Sequence, residues 1–219
     1  VMAKAAAELS SMEVSDGNYC EKSRLLQAII LSCHAVIGYA QRYANLADEM
    51  AAKETDATRK EELKQIAVNC RQVPGKPAKT FYQAVQTVWF LQQLLQLESS
   101  GHSISPGRFD QYMYPLYKKG IEEGTLTREQ AQEYIDCFWI KLNDLNKIRD
   151  GESAKGFAGY GLFQNLIAGG QDTEGRDATN DLSFMCIEAS FHVPLPQPPL
   201  SVRVWNGSPR EFLIRAAEL

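Results

Sequence analysis

The helical spacing of the apolar residues constrains this chain more than any other feature. From Glu21 to about Met50, Leu25, Leu26, Ile29, Ile30, Cys33, Val36, Ile37 and Ala40 form one wide stripe, which predicts a long helix set deep in a domain. Thr80 to about Leu97 carries Phe81, Val85, Val88, Trp89, Phe90, Leu91, Leu94 and Leu95 and predicts a central helix. Thr55 to Gln72 predicts a helix with a solvated charged face, ended by Val73-Pro74-Gly75-Lys76-Pro77. Thr127 and Gln130 form a capping box for a helix reaching about Asn146, and Asn180 to about Phe191 predicts another. Between the central helix and the next lies Glu98 to Tyr112, a polar, turn-rich stretch with the sequence ESSGHSISPGRFDQY. Its side chains must find partners, and loops held by rigid elements are where sites are often built. The plainest reading is a helix-to-helix connection with an Arg108–Asp110 ion pair.

Strand signals are few. Leu162 to Ala168, bounded by glycines, reads as a strand with Phe163, Asn165 and Ile167 on one face and Leu162, Gln164 and Leu166 on the other. Gln164 and Asn165 in so apolar a strand imply either an internal polar network or a ligand-facing wall. Asn146 to Lys155 reads as a polar connection, and Gly159-Tyr160-Gly161 lacks the third glycine of a dinucleotide fingerprint. Pro194 to Pro199 cannot be helical and feeds a short strand, Leu200 to Val204, that contains Arg203. Ser208 as N-cap, Pro209 at the first helical position and Glu211 predict a last helix. That helix has barely begun at Leu219, and the chain opens on Val1 within helical sequence. The expectation is a piece of a longer polypeptide, truncated at both ends.

The net charge of −4 and the absence of a basic block exclude a nucleic-acid partner on charge grounds. Cys20, Cys33, Cys70, Cys137 and Cys186 are scattered and odd in number, which predicts reduced cytosolic thiols rather than a disulfide framework. No signal peptide and no uncharged run long enough to span a bilayer is read, so no membrane partner is expected. His34 lies on the first long helix without a second ligand one turn on and reads as a buried, hydrogen-bonded histidine. Spacing alone gives a mostly helical α/β chain with a polar loop.

Three stretches, in order, carry a resemblance: Glu98 to Pro115, Phe163-Gln164-Asn165-Leu166-Ile167-Ala168-Gly169-Gly170, and Leu195-Pro196-Gln197-Pro198-Pro199-Leu200-Ser201-Val202-Arg203. The chain resembles the glycyl radical enzymes of the pyruvate formate-lyase-like group along nearly all its length. Within them it is most similar to the dehydratase and carbon–heteroatom lyase branch. That resemblance implies an α/β fold, with residues 1–219 forming a mostly helical part of a ten-stranded barrel built from two half-barrels. The family's Gly-Cys-Val-Glu loop and Arg-Val-x-Gly-Tyr motif do not occur in the sequence. The resemblance therefore implies a chain without turnover of its own, no catalytic residue and no bound metal or cofactor, the glycyl radical lying in the parent enzyme outside these residues.

The chemistry implied by the resemblance is abstraction of a hydrogen atom by a thiyl radical, followed by loss of water, an amine or sulfite from a small substrate. The substrate must be held with one hydrogen facing the sulfur, and water must be excluded. By resemblance Ser103, Ser105, Phe163 and His102 line the substrate chamber. Each has a plainer reading: a turn-stabilising hydroxyl for the serines, barrel core for Phe163, a backbone-bonded loop residue for His102. Arg108, Asp110, Gln164, Asn165 and Arg203 are expected to brace the loop and barrel. The implied partners are a radical S-adenosylmethionine activating enzyme and a second copy in a homodimer. The implied location is the cytoplasm, within a bacterial microcompartment for some relatives. A non-catalytic helical binding or scaffold protein, and a piece of a pyruvate formate-lyase proper, are the alternatives.

Overall fold

The computed structural model describes residues 1–99, 103–145, 150–157 and 161–219. They fall into two compact units, Val1–Ala78 and Lys79–Leu219.

The first unit is helical: α1 (Met2–Ser11), α2 (Tyr19–Lys53) and α3 (Ala57–Gln72). Asp56 starts α3, its carboxylate accepting the Arg59 N–H at 2.7 Å. The side of α2 that is buried carries Ala40, Ala44, Ala47 and Ala51, and α3 buries Leu63, Ala67 and Cys70. Small side chains let the two helices approach closely. Burial pushes the Cys70 thiol up to about 11, and Arg71 pairs with Asp48 between the helices.

Helix α2 departs from the expectation of a deep core element. Leu25 is 61% exposed, and Ile29, Ile30, Cys33, Val36 and Ile37 are only half-buried. His34 is exposed, not a buried, hydrogen-bonded residue. A unit of so few helices covers one narrow side of a 35-residue helix, and the alanine side takes that place. By length and composition α2 is also the one helix among the described residues able to cross a membrane. Its uncharged run, between Arg24 and Arg42, falls short of the ~20 residues that a spanning helix needs.

The second unit holds α4 (Phe81–Glu98), α5 (Phe109–Glu122), α6 (Arg128–Asn143), α7 (Gly151–Phe157), β1 (Leu166–Gly169), α8 (Asp181–His192), β2 (Leu200–Arg203) and α9 (Arg210–Glu218). The Thr80 and Thr127 hydroxyls each accept the N–H three residues on, at 3.2 Å, and Asn180 forms a capping box with Ser183. Helices α4, α5, α6 and α8 pack around Phe81, Phe109, Met113, Ile135, Phe138, Trp139, Leu182, Met185 and Ile187, all buried. Phe109 stacks on Phe138 with ring centroids 5.3 Å apart, and Trp139 Nε1 donates to Ser190 Oγ at 3.2 Å.

Several boundaries differ from the sequence reading. Helix α7 occupies part of the expected polar connection, started by Asp150, which accepts the Glu152 and Ser153 N–H groups at 3.1 and 3.0 Å. Strand β1 begins at Leu166 rather than Leu162, because Phe163 at φ 53° leaves the extended conformation. Strand β2 ends at Arg203, one residue short. Helix α9 starts one residue late, with Pro209 as N-cap. The Ser208 hydroxyl accepts the Trp205 N–H at 3.0 Å and closes the preceding turn instead.

The alanine side yields a test. Ala44→Leu forces a larger side chain into a fully buried position and is expected to lower stability by about 1–3 kcal/mol in urea unfolding. An unchanged midpoint would mean that α2 and α3 are not in close contact there.

Candidate functional site

Three stretches lie side by side in the second unit. The Ser103 N–H donates to the Leu162 carbonyl at 2.9 Å, the Gly107 N–H to the Asn165 carbonyl at 3.3 Å, and the Ile167 N–H to the Gly107 carbonyl at 2.8 Å. Residues 103–107 thus run parallel to 162–167, with a parallel bridge between Gly107 and Leu166. On the other side β1 pairs in parallel with β2, in register from Leu166 with Leu200 to Gly169 with Arg203. Leu162, Gln164, Leu166 and Ala168 are buried, whereas Phe163 is 42% exposed and Asn165 and Ile167 are half-buried. The alternation read from the sequence persists although only its end is strand.

Ser103 and Phe163 are the non-glycine residues with positive φ among the described residues, at 60° and 53°. Such backbone costs about 1–3 kcal/mol per residue and persists where its surroundings over-determine it. The bond from Ser103 N–H to Leu162 O brings the two together. Ser103 is exposed, and its hydroxyl has no hydrogen-bond partner among the described residues. The Ser105 hydroxyl is engaged: it accepts the Asn165 N–H at 3.2 Å and donates to the Phe163 carbonyl at 3.4 Å. The Asn165 side-chain carbonyl in turn accepts from Ser201 Oγ at 2.9 Å. His102 lies outside the described residues.

Arg108 and Asp110 do not pair with each other. Arg108 Nη2 donates to the Gly169 and Gln171 carbonyls at 3.3 and 2.9 Å. Asp110 Oδ2 accepts the Gly169 N–H at 2.7 Å and the Ser183 hydroxyl at 2.5 Å. Both therefore grip the end of β1, where Gly169 and Gly170 have φ of 73° and 89°. A Cβ at Gly169 would lie 2.6 Å from the Phe212 ring, and one at Gly170 would lie 2.9 Å from Arg203 Cβ. Arg203 thus packs over a glycine while its side chain stays exposed. Burial pushes the Asp110 carboxyl above the usual range, and the Ser183 and Gly169 bonds work against that shift.

Beneath this surface lies a set of buried amides. Gln92 Nε2 donates to the Ile104 carbonyl at 2.6 Å and to Gln164 Oε1 at 3.0 Å. Gln164 Nε2 donates to the Leu142 carbonyl at 2.7 Å, and the Gln164 N–H to Gln197 Oε1 at 3.0 Å. Sequence reasoning singled out Gln164 but missed Gln92, Gln96, Gln197, Ser183 and Ser201. Gln92 and Gln96, one helical turn apart in a mostly apolar stretch that also carries Gln93, were the available signal.

A separate groove on α6 and α8 contains none of these residues. There His192 Nδ1 meets Asp136 Oδ2 at 2.8 Å. Burial, with Glu133 and Asp136 nearby, pushes the Cys137 thiol up and away from a nucleophilic thiolate. Among the described residues no group of three or more His, Cys, Asp or Glu is placed to hold a metal ion.

The family model for "pyruvate formate lyase-like" proteins matches residues 1–219. A solved structure described as 1,2-propanediol dehydration in Roseburia inulinivorans superposes with a TM-score of 0.95 at 62% identity, covering 99% of this chain and 26% of that one. The glycerol-bound, B12-independent glycerol dehydratase from Clostridium butyricum gives 0.92 at 52% identity, covering 99% of this chain and 27% of that one. An isethionate sulfite-lyase of Nitratidesulfovibrio vulgaris is 41% identical over 200 residues, 90% of this chain and 24% of the relative. The chain thus spans about a quarter of the length of the relatives it matches, and its fold is a mostly helical part of the glycyl radical enzyme α/β barrel.

Asp110 generates a pH prediction. A carboxyl raised in the folded state contributes most below the ordinary aspartate value, and that contribution is lost as pH rises through the raised one. Asp110→Asn keeps an acceptor for Gly169 and removes the charge. The stability of the wild type relative to this variant should therefore fall with rising pH across that window in urea titrations. Asp110→Ala, which strands two buried donors, should cost on the order of 3 kcal/mol. A pH-independent difference for Asp110→Asn would contradict the raised carboxyl.

Proposed function

The chain belongs to the pyruvate formate lyase-like family, and from that premise we propose that it is part of a glycyl radical lyase that eliminates water from a small vicinal diol. One observation supports the placing of the site: the two strained non-glycine residues sit together, one with a hydroxyl that has no hydrogen-bond partner among the described residues and the other with an exposed ring. Inference from such strain runs toward function, because folding alone gives no reason to keep it. The choice of a diol is supported by 62% and 52% identity to the propanediol and glycerol structures, against 41% to the isethionate enzyme.

In this reading the Ser103 hydroxyl bonds a substrate hydroxyl, which fixes which carbon faces the reacting centre. His102, next in sequence, is proposed as a second donor to the same substrate. The Phe163 ring keeps water from that space. Ser105, its proton already given to the Phe163 carbonyl, holds the wall in shape and offers the substrate a lone pair at most. Hydrogen abstraction is supplied by glycine and cysteine loops whose motifs these 219 residues do not contain. The isolated chain is accordingly proposed to be inactive. The full enzyme is proposed to act as a cytoplasmic homodimer served by a radical S-adenosylmethionine activating enzyme.

The test uses the full-length activated enzyme. Ser103→Ala should lower kcat/KM for propane-1,2-diol by about tenfold or more, the scale of one lost substrate hydrogen bond. Phe163→Ala should lower kcat or raise KM. Unchanged constants for both variants would remove these residues from the substrate wall, and turnover of isethionate but of neither propane-1,2-diol nor glycerol would overturn the diol assignment.

A further inference from the structure

Resting on the placement of Ser103 in the substrate wall, we propose that Gln92 is a positioning residue for it, acting through the Ile104 carbonyl and locked by Gln164. The geometry is a clamp on both strained residues. The Ser103 N–H is tied to Leu162 O, and one residue further along the chain the Ile104 carbonyl is tied to Gln92 Nε2 at 2.6 Å. Ser103, at φ 60°, is thereby held between two fixed points. Phe163 is held in the same way: the Leu162 carbonyl before it takes the Ser103 N–H, and the Gln164 N–H after it is given to Gln197 Oε1 at 3.0 Å.

The amides are chemically suited to this. Gln92 spends both side-chain protons, one on Ile104 O and one on Gln164 Oε1. Gln164 is in turn anchored through its own Nε2 to Leu142 O, at the end of α6. Both side chains are buried, Gln164 fully and Gln92 to within 5%, which shelters the bonds from competing water. Gln96 Nε2 lies 3.4 Å from the same Ile104 carbonyl, while its Oε1 is buried without a partner. An apolar side chain at 96 would avoid burying that oxygen; what the amide provides there is a second hold on the carbonyl between the two serines. Position 104 is thus gripped from α4, and the orientation of Ser103 is set from behind the wall rather than from within the pocket.

The experiment is a double-mutant cycle in the full-length, activated enzyme. Gln92→Met keeps length and removes both donors; Ser103→Ala removes the hydroxyl. Turnover of propane-1,2-diol and glycerol is measured per glycyl radical spin, so that radical content does not enter. Gln92→Met alone should lower kcat/KM by about tenfold, and the double variant should be no worse than Ser103→Ala alone, because the amide acts through that hydroxyl. Additive losses, or no loss in Gln92→Met, would overturn the positioning role and leave the substrate wall standing. No loss in Ser103→Ala, or no turnover of either propane-1,2-diol or glycerol by the wild type, would overturn the reading of the site and this inference with it. Should Gln92→Met not fold, Gln92→Glu, isosteric and without the two donors when ionised, enters the same cycle under the same criteria.

Discussion

The two hydrogen bonds that Gly107 exchanges, from its N–H to Asn165 and from Ile167 to its carbonyl, are the constraint on which the rest of the site depends. They make a loop between two helices into a neighbour of β1 and fix its register. A shift of one residue would turn every side chain of the segment to the opposite face. The Ser105 hydroxyl would then lose the Asn165 N–H, and Ser103 would lose Leu162. Gly107 itself has φ 69°, a conformation that glycine adopts without a steric penalty. The register is therefore set where the backbone is least restricted and felt where it is most strained.

Much of the helical frame was legible because caps and periodicity are local signals. Thr80, Thr127 and Asn180 each sit where the sequence places a helix start, and Asp56 shows the same physics one residue from the expected boundary. Ser208 had an equally good local signal and failed, because a tertiary turn claimed its hydroxyl first. Helix α2 was legible in length but not in depth: periodicity reports which face is apolar, not whether anything covers it.

The site was legible in part. The alternation of 162–168 correctly separated the buried Gln164 from the exposed Phe163. Arg108 and Asp110 are close in sequence with opposite charges, which suggested a pair. Their partners lie between 59 and 73 residues away, at Gly169, Gln171 and Ser183, and no local rule contains that information. Positive φ at Ser103 and Phe163 was invisible for the same reason, since neither residue type favours it.

The glycines at the end of β1 have a consequence for how the chain can vary. At Gly169 the space for a side chain is already filled by the Phe212 ring, and at Gly170 by Arg203. Both also stand in left-handed backbone, so a substitution meets an obstacle of conformation and one of volume together. A compensating change elsewhere would have to move β2 and α9 at once. Among the described glycines these two alone combine both obstacles, so the chain tolerates little change at a point where it carries no side chains at all.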